Sequence, residues 1–204
     1  SENPIVGLTS LKKLAELYGV SVFDFRKGAE QISIPSLPDF RKPNRPSAKV
    51  GIKAWRRIKH AETLQNNLAE LAQDSSDALV PLLLKNFSAN EATKKVAKYI
   101  RSELALTWDY QNNSKRTDAL YDFLRYSIEA RGVNVIHESY PVRDSRGFCL
   151  IGDTSGADVI CINTNKAKTK KARVFTLIHE LCHVLLREQG LSDHTITKNK
   201  IERF

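Results

Sequence analysis

The sequence predicts an α+β fold, mostly helical, with one small β-sheet packed against a long helix near the carboxyl end. Three observations predict it. Apolar residues recur every three or four positions through much of residues 50–131. The period then shortens to β-rich runs in VNVIHESY, GFCLI and VICIN, separated by Gly, Asp and Ser. Helical spacing returns at about Lys171 and holds to Glu188, just before Gly190.

The amino-terminal stretch GLTSLKKLAELYGVSVFDF predicts two short helices. Ser10 is expected to cap the first, with Leu11, Leu14, Ala15 and Leu17 as its apolar face and Gly19 as its stop. Ser21 is expected to cap the second, which begins at Val22 and Phe23. Residues 28–48 carry Pro35, Pro38, Pro43 and Pro46. Proline removes backbone donors and holds the chain extended, so this stretch reads as an irregular linker.

Val50, Ala54, Ile58, Ala61, Leu64, Leu68 and Leu71 then mark an amphipathic helix, with Lys53, Arg56, Arg57 and Lys59 on its other faces. A second helix is expected after the capping box Ser88-Ala89-Asn90-Glu91, running to about Leu106. A third runs from about Arg116 to Arg131 through Leu120, Phe123, Leu124 and Ile128, and Gly132 closes it. No internal repeat or low-complexity tract interrupts this order.

A chain of 204 residues suffices for one sizeable core, or one core with a small appendage. No apolar run approaches the ~20 residues of a membrane span. The opening SENPIVGLTS lacks the basic start and apolar stretch of a signal peptide, so a cytoplasmic protein is expected. Cys149, Cys161 and Cys182 are odd in number, without CxxC spacing, and flanked by apolar residues. They read as reduced thiols rather than a disulfide framework or cysteine zinc cluster. The net charge of +9 points toward an acidic partner such as nucleic acid, with basic clusters at Lys49–His60 and Lys166–Arg173. A solvated face is the commoner meaning of such clusters, and neither has aromatic interleaving.

The most specific signal lies in VFTLIHELCHVLL, residues 174–186, where His179, Glu180 and His183 sit among hydrocarbon. Burying an imidazole or carboxylate costs roughly several kcal/mol unless it is paired or bound. On a helix, positions four apart face one way, so His179 and His183 present two imidazoles to one point. Glu180 lies about 100° round from His179, bordering that point without joining the ligands. This is the HExxH pattern: two zinc-binding histidines, with the glutamate as general base toward a water whose pKa zinc lowers toward ~7.

Chance is the competing explanation. With this chain's histidines and glutamates, HExxH arises in roughly 0.7% of sequences of the same composition. Two core histidines beside a buried, unpaired glutamate would be physically costly. A zinc hydrolase needs a third protein ligand, and the candidates after His183 are Glu188, Asp193, His194 and Glu202. Glu188 shares the helix and points elsewhere; Asp193 and His194 lie in a turn; Glu202 falls where a new helix is expected to begin.

RVFTLIHELCHVLL followed by KIERF resembles the ImmA/IrrE family of zinc metallopeptidases. LPDFRK, IEARGVNV, GFCL and ICIN resemble family segments in the expected order, more loosely. The resemblance implies a zincin-like sheet against the HExxH helix, with one zinc ion held by His179, His183 and Glu202 and Glu180 as catalytic base. It further implies that LKKLAELYGVSVFDF is the tail of an XRE-type helix-turn-helix domain.

The domains expected on this footing are 1–28, a helix-turn-helix remnant; 29–48, the linker; and 49–204, a metallopeptidase domain that is incomplete at its carboxyl end. The implied substrate is a protein, a partner helix-turn-helix transcriptional repressor cleaved to derepress genes after stress or in mobile elements. DNA would be contacted through a complete amino-terminal domain, and no membrane partner is expected. A different class of function stands beside this one: a DNA-binding regulator or antitoxin-like protein whose peptidase-like domain binds without cutting.

Overall fold

The computed structural model describes residues 7–18, 22, 51–74, 84–88, 90–113, 117–141, 145–152, 157–165, 169–187 and 190–192. Among these residues six helices and four strands follow in the order α1 (Leu8–Tyr18), α2 (Ile52–Asp74), α3 (Thr93–Glu103), α4 (Trp108–Asn113), α5 (Thr117–Glu129), β1 (Val133–Glu138), β2 (Gly147–Leu150), β3 (Asp158–Asn163), α6 (Lys170–Leu186) and β4 (Gly190–Ser192). The α+β expectation holds.

The strands form one mixed sheet in the order β1-β3-β2-β4. β1 runs parallel to β3, whereas β2 is antiparallel to both β3 and β4. Every residue of β3 is buried, as befits a central strand covered on both faces.

Alternation along the strands divides the core in two. Val133, Val135, Cys149, Ile160 and Ile162 face a cluster completed by α5 and α6, through Leu124, Ile128, Leu177 and Leu181. Phe148, Leu150, Val159 and Cys161 face the other way and pack on Ala54, Ile58 and Ala61 of α2. The small alanines let α2 lie close to the sheet. Glu138, at the end of β1, fastens that helix further by binding His60 Nδ1 at 2.5 Å and Arg57 at 3.2 Å.

Several boundaries differ from expectation. Ser10 lies inside α1 rather than at its cap, because the Gly7 carbonyl already accepts from the Ser10 and Leu11 amides. Ser88 and Glu91 do pair, Glu91 Oε1 accepting from the Ser88 amide at 3.4 Å, but they close a separate turn. α3 starts one step later, behind Ala92 in extended conformation. It ends at Glu103 because Ala105 adopts a left-handed φ of 52°, and the unexpected short helix α4 follows. β4 was likewise not expected. The linker, Gly19, Ser21, Glu188, Asp193, His194 and Glu202 lie outside the described residues. Among the described residues, no helix is long and apolar enough to cross a membrane.

Candidate active site on helix α6

α6 begins where Thr169 accepts a hydrogen bond from the Ala172 amide at 3.3 Å, a standard N-cap. It ends where Arg187 turns left-handed at φ 56°. That turn aims the Arg187 guanidinium back at Asp158, with Nη1 donating to Oδ2 at 2.8 Å and Oδ1 at 2.9 Å. It also donates to the Gly152 carbonyl. The carboxyl end of α6 is thereby clamped to the start of β3 and the end of β2. Burial pushes the Asp158 carboxyl upward, opposed by the Gly152 amide and by Arg187.

Thr176 and Glu180 lie over the start of β2. A Cβ on Gly147 would meet Thr176 Cγ2 at 2.7 Å, the Cys161 carbonyl at 2.9 Å and Glu180 Oε1 at 2.9 Å. Only a glycine leaves room for this contact. The approach to Gly147 is set by Asn163, whose side-chain amide donates to the Tyr140 and Ser145 carbonyls at 3.1 and 2.9 Å. Glu180 is fully buried.

His179 and His183 converge as their spacing predicts. Their Nε2 atoms stand 3.1 Å apart, with ring centroids at 4.8 Å and planes 80° apart. His183 is 2% exposed, while His179 is half-buried and stacks on Phe175 at 6.1 Å between centroids. A 3.1 Å separation suits an N–H···N hydrogen bond between neutral imidazoles. It also lies near the roughly 3.3 Å between two nitrogens bound tetrahedrally to one zinc at about 2.0–2.1 Å. The donor set is therefore of the right type and spacing for zinc. Among the described residues no group of three His, Cys, Asp or Glu side chains converges to complete it, and Glu202 falls outside them.

The Cys161 and Cys182 thiols are poor nucleophiles here. Burial, with the nearby Glu180 charge adding to it, raises Cys182 to about 11 and Cys161 well above its usual value. Both stay protonated at neutral pH.

The sequence singles out His179, Glu180 and His183, and the structure places Gly147 against Glu180 and the Asp158–Arg187 pair at the end of their helix, neither of which the sequence marks. GFCL reads as an ordinary strand, and nothing local marks its first residue as the floor beneath a glutamate 33 positions later. The Asp158–Arg187 pair spans 29 residues and obeys no periodicity.

No curated protein and no solved structure matches this chain. Residues 128–203, which hold the whole sheet, α6 and the HELCH segment, match the profile of the IrrE N-terminal-like domain of the Peptidase_M78 family, and that match supports a metallopeptidase-like function for this part of the chain.

Proposed function

We propose that this protein is a zinc-dependent endopeptidase that cleaves a peptide bond in a partner helix-turn-helix repressor. One observation carries the reading: two imidazole Nε2 atoms meet 3.1 Å apart beside the buried carboxylate of Glu180 on a single helix. His179 and His183 would hold zinc, with Glu202 as third ligand. Bound zinc would supply Lewis acidity and a water of lowered pKa.

The chain's own residues do the rest. Glu180, dry and fixed against Gly147, accepts the proton of the attacking water and returns it to the leaving amine. Arg187 and Asp158 hold the helix so that the carboxylate does not drift. The repressor as substrate, the 1–28, 29–48 and 49–204 division and a cytoplasmic setting rest on the sequence and its family resemblance.

A non-cleaving DNA-binding regulator is the second reading, motivated by the net charge of +9. It ranks lower because Arg57 and Lys59, two cations of the first basic cluster, are already engaged by Glu138 and Glu62. A pure scaffold also has no use for a buried glutamate at position 180.

Metal analysis tests the proposal directly. Stoichiometric zinc in the wild type, lost in a His179→Ala/His183→Ala variant, is expected; zinc unchanged in that variant would sink the site. Glu202→Ala with unaltered zinc affinity would remove only the third assignment.

A further inference from the structure

The geometry points to a second binding site, for a small carboxylic acid with an apolar tail, in the cavity between α3, α4, α5 and α6. The cavity measures about 330 Å³, at the lower end of the roughly 300–1,000 Å³ usual for small-molecule sites. Ile100, Leu124, Val174 and Ile178 are among the apolar residues that line it.

One cation breaks that apolar lining. Among the described residues, Arg101 is the single charged residue lining the cavity. Its Nη1 donates to Gln111 Oε1 at 2.8 Å, and its guanidinium lies 3.8 Å from the exposed Trp108 ring. Its Nη2 is buried with no hydrogen-bond partner among the described residues. Leaving a charged donor in that condition is unfavourable, so an acceptor in the cavity is favoured.

The unpartnered Nη2 nitrogen, with the guanidinium's single positive charge, fits one carboxylate. A phosphate dianion would call for more cations than the lining offers, and an uncharged hydrocarbon would leave Nη2 unsatisfied. The apolar lining suits an alkyl tail, which gains by leaving water.

This cavity is separate from the histidine pair. Ile178 and Cys182 face it, whereas His179 and His183 each follow by one residue, about 100° round the helix. A ligand there leans on the face of α6 that carries Val174, Ile178 and Cys182, about 200° round the helix from the Thr176 and Glu180 face that meets Gly147. The inference stands whether or not zinc binds.

Calorimetric titration of the purified protein with octanoate and with octanamide tests it. Octanoate is expected to bind saturably at one site, with octanamide at least about tenfold weaker because it lacks the charge. Arg101→Gln should reduce octanoate to the level of octanamide. Ala97→Phe, placed in the lining at an exposed position, should abolish both by filling the space. In Trp55→Phe protein, Trp108 fluorescence should change with octanoate at the same midpoint. Equal affinity for the two compounds, octanoate binding unchanged in either folded variant, or no saturable binding in the millimolar range would overturn the proposal.

Discussion

Gly147 lies directly beneath Glu180, so that a single added methyl group would stand 2.9 Å from the carboxylate oxygen. The same methyl would press on Thr176 and on the Cys161 carbonyl, and the carbonyl belongs to the central strand and cannot yield. Gly147→Ala is therefore expected to destabilise the protein by about 1–3 kcal/mol, typical of overpacking, and to shift α6. Denaturant unfolding measures the first effect. Unchanged stability would show that the contact is looser than described.

Glu180→Gln keeps the shape of the side chain and removes the proton acceptor. Under the proposed mechanism, cleavage of a true substrate should fall by about 10²–10⁴-fold while zinc content stays constant. Full-length protein, zinc and candidate repressors, followed by mass spectrometry, give the measurement. Equal rates for wild type and variant would remove Glu180 from the chemistry.

Arg187→Ala should be more damaging than an ordinary surface change, because it strands the Asp158 carboxylate, which is 4% exposed. Breaking a buried pair this way costs roughly 3–5 kcal/mol, with the lower end expected here since Arg187 is itself a third exposed. Burial already raises the Asp158 pKa, and removing the cation raises it further. The folded state then binds the proton more readily than the unfolded state, so the penalty should shrink as pH falls into the carboxylate range. Urea unfolding of both proteins at neutral and acid pH shows the sign; a penalty that grows on acidification contradicts it.

His137 gives the opposite dependence on a different group. Its ring is pushed below the usual 6.5, first by burial and then by Arg125 and Arg173. The Tyr121 hydroxyl, raised to about 12 by burial, remains protonated and is hydrogen-bonded to His137 Nε2 at 2.7 Å, where as donor it would hold the ring neutral. A depressed histidine pKa contributes stability above the unfolded value, which is lost as pH falls through the folded one. Tyr121→Phe should cost about 0.5–1.5 kcal/mol above pH 6.5 and raise the His137 pKa. Imidazole NMR titration checks the pKa, and an unmoved value would mean that the hydroxyl contributes nothing.

The parts of this protein legible from sequence share one property: their cause is local. His179 and His183 meet because four residues of helix bring them together, and Val133, Val135, Ile160 and Ile162 declare strands by alternation or β-branching. What stayed hidden depends on distant residues. The three-residue β4 has no pattern of its own and exists because β2 offers it an edge. The close of α3 at Ala105 follows no glycine or proline, and Ser10 was passed over because Gly7 begins the helix earlier. The ledge at Gly147 belongs to β2, β3 and α6 at once, and no window along the chain contains all three.

The strand order has a consequence for biosynthesis. β1 and β2, adjacent in sequence, do not pair with each other; each finds its partner in β3, which is made last of the three. At about 5–20 residues per second, the stretch from Glu138 to Asn163 leaves β1 waiting for roughly 1–5 s with its hydrogen-bonding edge exposed. During that interval only the elements made before β1, α5 among them, can shield its apolar faces, so the nascent chain is most open to aggregation and chaperone capture shortly before Asp158–Asn163 emerges.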